Sequence, residues 1–430
     1  MPIPREKTLR TDGWHTGQPL HLNFPNHWDV KILWPATLPA LTDEQIADKL
    51  DRPVGRPLIP EMCHGTSRPL VIVDDLNRPT PAARILPFLS DRLREAGIAA
   101  SQVTILIASG THGAPPACSI EKKVGPEAAS GCRILIHDAK RNCAHIRTHA
   151  IRNTGFRQQC GAHQRFRNRH WGRLSELRSR VGGGSKLALG VLGFRSIKTL
   201  HFRFKGSGWG REKNQALRTE LDEIARMIRL DTIISLHLNA DCEIVRATCG
   251  NHFSYYDDEV AFARKSFSAP VPEGADVVIS NAYPSDLSLT VVVQKGTAPL
   301  QYAAAQASRI VIACCSDGVG EHGLFPVIKP PGLAAVQFVR RLSVIKPHEF
   351  VQAIARRLQR RSPSKSTETR KPIWLYRPLK RLEDLPKNIP GFRVLDSWSD
   401  VLAAIEREQG TGKRLKVFLY PCAPLQSLTQ

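Results

Sequence analysis

Short apolar runs alternate with an amphipathic segment early in the chain, and this alternation constrains the fold more than any other feature. Residues 69–75, 103–112 and 133–139 are apolar runs of strand length, and residues 83–98 place leucine and isoleucine on one face of a helix. Strand, helix and strand in this order are typical of parallel sheets with crossover helices. The sequence therefore predicts an α/β fold with mostly parallel sheets.

The same alternation resumes after residue 186 and continues to the C-terminus. A proline-rich segment at 268–276 interrupts it and marks a domain boundary. Beyond this segment the pattern predicts further strands and several helices, among them one at 299–308 and one near 348–360. We therefore expect two α/β domains, residues 1–268 and a smaller unit at 269–430.

The composition limits the partners of the chain. The 430 residues carry a formal net charge of +22, but nine arginines and a single acid lie between residues 145 and 180. Charge concentrated in one block does not indicate a nucleic-acid groove, so nucleic acid is not the expected partner. No apolar run approaches the ~20 residues that span a bilayer, and no membrane partner is expected. The N-terminus lacks a signal-peptide core, and the ten cysteines lack paired spacing, which predicts a cytoplasmic protein with free thiols.

Polar residues follow the first two predicted strands, where parallel α/β sheets bind their ligands. Asp75 and Arg78 come after the first strand, and the planar fork of an arginine suits a carboxylate or a phosphate. The alternative is an ordinary helix start with an ion pair. His112 follows the second strand after a glycine turn, where it can exchange a proton or simply lie on the surface.

Two further motifs contain a lysine. The first is the glycine-rich turn 182–186, which ends at Lys186 and can close on a phosphate or present a nucleophilic amine. It is not a Walker A loop, because Leu187 follows the lysine. The second is 281–286 followed by Lys295, whose polar groups are expected to face the first domain or to form an ordinary turn.

Together these motifs resemble the nickel-dependent lactate racemase family, in order and in spacing, over roughly residues 65–315. The matching pieces are DDLNRPTP, ASGTH, GGGSK, GVLGFRSIKTLH, and SNAYPSD with QKG. The resemblance implies two domains around an interdomain active-site cleft. It also implies racemisation or epimerisation of a small 2-hydroxy acid by hydride transfer to and from a nickel-pincer nucleotide, a nicotinic-acid-derived mononucleotide with two sulfur-bearing arms.

The resemblance assigns a role to each matching residue. Lys186 is expected to hold the cofactor and His201 to be the protein's ligand to nickel. Gly183, Gly184 and Asp75 are expected to contribute to the cofactor site. Of the groups that face the substrate, His112 is expected to be one of two acid/base histidines, and Arg78 and Lys295 to bind its carboxylate. Proteins that synthesise the cofactor are the implied partners.

One segment departs from the family pattern. The family has a second catalytic histidine about ten residues before the cofactor lysine, after a buried strand, whereas Glu176 stands here and no apolar strand precedes it. We interpret residues 146–181 as read out of frame; the alternative is a genuine basic insertion. The sequence predicts that this chain folds poorly or leaves the segment disordered, and that it lacks racemase activity. The competing function is a non-catalytic protein of the same fold that binds a phosphorylated ligand or nucleic acid through the arginines of 145–180.

Overall fold

The structure is a computed structural model, and it describes most of the chain outside the arginine-rich segment. The described residues are 5–14, 17, 19–66, 68–115, 117–141, 143–148, 154–158, 172–175, 183–203, 215–328, 371–379, 385–386 and 388–429, with only the backbone for 144–148, 154–158 and 172–175. The helix predicted near 348–360 lies outside these residues, and so does Glu176. Among the described residues, no helix is long and apolar enough to span a bilayer.

The described elements alternate between strands and helices, as the sequence predicts. The strands are β1 Arg5–Arg10, β2 Pro19–Phe24, β3 Asp29–Ile32, β4 Leu70–Asp74, β5 Thr104–Ala108, β6 Arg133–Ile136, β7 Cys143–Thr148, β8 Thr154–Gln158, β9 Gly172–Ser175, β10 Thr232–Leu238, β11 Ile244–Gly250, β12 Ser268–Pro270, β13 Val277–Asn281, β14 Ser308–Ile312, β15 Ile373–Tyr376, β16 Phe392–Leu395, β17 Lys416–Tyr420 and β18 Ser427–Thr429. The helices are α1 Asp43–Asp51, α2 Ile59–Cys63, α3 Ala82–Glu95, α4 Ala117–Val124, α5 Pro126–Gly131, α6 Phe194–Arg203, α7 Gln215–Met227, α8 His252–Phe267, α9 Leu289–Val291 and α10 Trp398–Gln409.

Two six-stranded sheets organise the molecule. The first has the strand order β11-β10-β9-β4-β5-β6 and the second β16-β15-β14-β13-β17-β3. Every neighbouring pair in both sheets is parallel except β10 with β11. The prediction of an α/β protein with mostly parallel sheets is therefore confirmed.

Strand β9 lies within the arginine-rich segment. The sequence shows no apolar run before Glu176, yet residues 172–175 form a strand between β10 and β4. Its backbone pairs in register with β10 from Thr232 to Ser235 and with β4 at Ile72. The ladder bonds of a strand come from the backbone, so the strand forms without an apolar sequence pattern. A strand therefore precedes Glu176 although no apolar run predicts it, and the interpretation of residues 146–181 as read out of frame stays a prediction.

The second sheet draws one strand from the start of the chain. Strand β3 pairs with β17 from Asp29 to Ile32, although nearly the whole sequence separates them. The hairpin of β1 and β2 packs its apolar side against the same sheet, through Leu9, Leu22 and Phe24. The division at residue 268 remains a prediction, but the N-terminal forty residues contribute to the layer formed mainly by 269–430.

Candidate functional site

The centre of the site is a short hydrogen bond between two residues that follow neighbouring strands. Strand β4 ends at Asp74 and β5 at Ala108, and the two strands are parallel, so the loops after them start side by side. Gly110 has φ +58° and donates its N–H to the carbonyl of Gly190, which fixes the turn before His112. As a result the His112 Nδ1 and the Asp75 Oδ2 lie 2.5 Å apart.

Electrostatics keep the carboxyl group of Asp75 ionised. Burial alone would raise the pKa of Asp75, but His112 and then Arg78 hold it well below its usual value. An ionised Asp75 accepts the Nδ1–H of His112, which leaves the lone pair of Nε2 as the basic group. The imidazole is therefore fixed in the tautomer that a general base requires.

The two predicted carboxylate-binding residues meet at the turn after β4. The N–H of Arg78 donates to the carbonyl of Asp75, 3.1 Å away, and closes that turn. Lys295 contacts the same turn from the second sheet: its Nζ donates to the carbonyl of Asn77 at 2.6 Å. The side-chain amide of Asn77 in turn donates to Asp75 at 2.7 Å. The structure thus brings Arg78, Lys295 and the His112–Asp75 pair together.

A buried ion pair under this turn was not found in the sequence. The Lys123 side chain is fully buried, and its Nζ lies 2.7 Å from Asp74 Oδ1. The same ammonium donates to the carbonyl of Thr80 at 2.8 Å, and the hydroxyl of Thr80 donates to Asp74 at 2.7 Å. Lys123 lies on α4, more than forty residues from its partners, so no local motif signals the contact. It holds both ends of the 74–80 loop.

Loss of this ion pair is expected to destabilise the fold. Lys123→Met leaves the buried carboxylate of Asp74 without its cation, which we expect to lower the free energy of unfolding by about 3 kcal/mol. Denaturant unfolding measures the change. The control is Lys122→Met, because Lys122 is exposed on the same helix. Equal stabilities of the two variants would contradict a stabilising role for the pair.

The predicted cofactor lysine, Lys186, is the third residue of a 3₁₀-helix, Gly184–Val191, which begins within the glycine turn. Gly183 and Gly184 have φ of +73° and +54°, which only glycine adopts readily. A Cβ on Gly184 would lie 3.3 Å from both His252 and Tyr256, so the backbone passes close to α8. Both glycines are therefore required by the backbone of the turn itself.

Side chains from α7 and α8 form hydrogen bonds with this turn and hold it in place. The Ser185 hydroxyl lies 2.7 Å from His252 Nε2 and also donates to Asp222. Arg218 donates to the carbonyl of Gly183 at 3.1 Å. Lys186 itself is half-buried in the turn that these partners hold.

His201 lies near the end of α6 and has one ring nitrogen already engaged. Its Nδ1 donates to the carbonyl of Ile197, one helical turn earlier, at 2.7 Å. The other nitrogen, Nε2, then carries the lone pair, and metal-binding histidines commonly donate their second ring nitrogen in this way. The ring lies 5.7 Å from that of Phe325, which connects it to the rest of the site.

A further histidine, His322, lies beside His112 and was not singled out in the sequence. The two ring centroids are 4.9 Å apart, and the two residues form an antiparallel bridge. Phe325 packs against the other side of His322 at 5.2 Å. The contact joins chain segments more than two hundred residues apart, so spacing within a motif gives no sign of it.

The motif at 281–286 serves the fold rather than the site. Asn281 donates to the carbonyls of Arg10 and Pro421, both at 2.8 Å. Asp286 accepts the N–H of Asp12 at 2.8 Å, and its burial raises its pKa. These side chains bind the N-terminal segment to the second sheet. Among the described residues, Asn281 and Asp286 thus support the fold, and Lys295 contacts the turn after β4.

The fold and the site define an α/β protein with an Asp–His pair, two cationic groups and a lysine on a glycine turn. Comparison with known proteins agrees: residues 16–152 match the family model of the lactate racemase N-terminal domain. Lactate racemase of Lactiplantibacillus plantarum is 24% identical over 295 residues, which are 66% of this chain and 69% of the relative. Lactate racemase of Thermoanaerobacterium thermosaccharolyticum is 22% identical over 301 residues, again 66% and 69% of the two chains.

Solved structures show the same fold. The lactate racemase apoprotein of Thermoanaerobacterium thermosaccharolyticum superposes with a TM-score of 0.68 at 18% identity and covers 99% of this chain and 100% of that one. A crystal structure of a protein from Thermotoga maritima gives 0.55 at 13% identity, with 91% and 99% covered. The chain is therefore a relative of the lactate racemases with their fold. The predicted resemblance is confirmed, and the relatives support the predicted isomerase class.

Proposed function

We propose that this site racemises or epimerises a small 2-hydroxy acid with the help of a nickel-pincer nucleotide. The observation that carries the proposal is the His112–Asp75 hydrogen bond of 2.5 Å, set beside two cationic groups in a relative of the lactate racemases. An oriented base beside cations that bind a carboxylate is what removal of a hydroxyl proton from a 2-hydroxy acid requires.

The residues present fit the proposed cofactor. Lys186 offers an amine for attachment, on a turn whose positive-φ glycines bring backbone close to a bound group. His201 offers one imidazole nitrogen, which is a suitable ligand for nickel and would help to hold it. When bound, the cofactor would supply the acceptor and donor of the hydride. The protein residues do the remaining work of binding, orienting and proton transfer.

His112 is the base in this proposal. Its Nε2 takes the hydroxyl proton while Asp75, held by Asn77, stabilises the imidazolium that forms. The same imidazolium returns the proton when the hydroxyl is re-formed. Asp75 therefore acts through His112, and its contribution to the cofactor site is an expectation from the family alone.

Arg78 and Lys295 bind the substrate carboxylate in this proposal. Arg78 offers two parallel N–H groups and Lys295 a point charge. The backbone N–H of Arg78 and the ammonium group of Lys295 both donate to carbonyls of the turn after β4. Since the two residues come from different sheets, the carboxylate would be held between them. With the carboxylate bound in this way, the C2 hydroxyl of the acid would face His112.

Removal of the arginine is expected to weaken binding of the acid. Arg78→Met removes a charge-assisted hydrogen bond, so the dissociation constant for lactate should rise about tenfold to a hundredfold. Calorimetric titration measures it. Arg84→Met is the matched control, because Arg84 forms an exposed ion pair with Asp43 on the neighbouring helix. Unchanged affinity in Arg78→Met would show that the carboxylate binds elsewhere.

A further inference from the structure

The backbone of the residues that follow His322 holds its ring in a fixed orientation. Its Nδ1 lies 3.1 Å from the N–H of Leu324 and 3.2 Å from the N–H of Phe325. The hydroxyl of Thr111 is a third neighbour of the same nitrogen, at 3.5 Å. The Gly323 N–H donates to the carbonyl of Thr111 at 2.8 Å and secures the loop to the His112 turn.

These contacts determine which ring nitrogen carries the proton. A backbone N–H can only donate, so Nδ1 must accept and is unprotonated. The single ring proton of a neutral imidazole is then on Nε2. Burial and the neighbouring His112 lower the pKa of His322 to about 3, in agreement with a ring that stays neutral. His322 is therefore a hydrogen-bond donor at Nε2 and a poor base.

The His322 ring lies between the proposed base, His112, and the part of the site near His201. In the proposed reaction both parts act on the same carbon atom of the substrate. On one side it contacts His112, the proposed base for the hydroxyl proton. On the other side it contacts Phe325, which packs against His201, the proposed ligand to nickel. In the proposed reaction the hydroxyl would face the base, and the hydrogen of the same carbon would face the cofactor. The oxygen on that carbon consequently lies near His322.

We propose that His322 donates its Nε2–H to the C2 oxygen of the substrate. This inference rests on the proposed function and deepens it. As the hydroxyl loses its proton, negative charge grows on that oxygen before the carbonyl forms, and a fixed donor stabilises it. A neutral donor does so without transferring a proton to the oxygen. His112 and His322 thus divide the work: one moves the proton and the other stabilises the charge.

The first test reads the tautomer in the protein without added ligand. In ¹⁵N-histidine-labelled protein at pH 7, two-bond ¹H–¹⁵N correlations should show the His322 ring neutral with its proton on Nε2. His322→Phe identifies the signal by removing it and keeps the packing against Phe325. A proton on Nδ1, or a charged ring, would overturn the inference.

The second test measures recognition of the C2 oxygen. Pyruvate has this oxygen and propionate lacks it, while both keep the carboxylate and the methyl group. We expect the wild type to prefer pyruvate, and His322→Phe to lose about tenfold in pyruvate affinity with propionate unchanged. His322→Gln, which retains an N–H near the position of Nε2, should restore most of the loss.

The outcomes separate this inference from the proposed function. Equal loss for both acids in His322→Phe, or no rescue by glutamine, would mean that His322 only supports the fold of the loop. If neither acid depends on Arg78, the carboxylate site itself is wrong and the proposed function fails with it. Binding that depends on Arg78 but not on His322 would overturn the inference alone.

Discussion

Protein produced together with the cofactor-synthesis proteins is expected to be heavier than its sequence by the mass of a nucleotide, and Lys186→Ala is expected to lack this addition entirely. The lysine amine is the proposed point of attachment, and alanine has no group to replace it. Intact mass spectrometry under denaturing conditions measures the addition, and metal analysis of the native protein should give one nickel per adduct.

Two variants make this result specific. Lys140→Ala, at an exposed lysine outside the site, should keep the full adduct. His201→Ala should keep the nucleotide but lose most of the nickel, because it removes only the imidazole ligand. Wild-type protein that stays unmodified and free of nickel under these conditions would instead favour a protein that binds ligands without catalysis.

The fold was largely predictable because parallel strands buried on both faces have apolar residues at successive positions. Residues 69–75 and 103–112 have no polar alternation, and in the structure β4 and β5 are buried on both faces. The helix predicted at 83–98 is α3, Ala82–Glu95, with Ile85, Leu86 and Leu89 buried as the periodicity indicates. In these elements the local pattern and the tertiary structure agree.

The prediction failed where tertiary packing overrides local preference. The alanine-rich residues 299–308 predict a helix, but the structure has only the 3₁₀ turn Pro299–Gln301 before β14. Leu300, Ala303 and Ala307 are all buried in the core of the second sheet. Alanine favours a helix only by its intrinsic propensity, which is small. Tertiary packing therefore decides whether these residues form a helix.

The site was predictable only in its local parts. Asp75, Arg78 and His112 follow strand ends, and the edge of a parallel sheet brings such residues together. The partnership of His112 with His322 and of Asp74 with Lys123 depends on contacts distant in sequence. A single sequence carries no record of those contacts, and only the folded chain reveals them.

The chain as written is expected to racemise lactate far more slowly than a variant in which Glu176 is replaced by histidine. Glu176 directly follows β9, whose neighbour β4 is followed by Asp75. The carboxyl ends of parallel strands meet at one edge of a sheet, so we expect Glu176→His to add an imidazole at the edge that carries Asp75. A positioned acid/base group contributes roughly 10²–10⁴-fold in rate, and we expect a gain of that order. A chiral assay of cofactor-loaded protein measures it.

Arg178→His is the control, because it adds a histidine to the same segment two residues away from the predicted position. It should leave the rate unchanged. A second variant carries, in place of residues 146–181, the translation of another reading frame of the coding DNA. If the frame was lost there, this frame encodes an apolar strand followed by a histidine about ten residues before Lys186, and its protein should be at least as active as Glu176→His. Full turnover by the chain as written would contradict the need for a second histidine, and the absence of such a strand from both other frames would leave the segment as a genuine insertion.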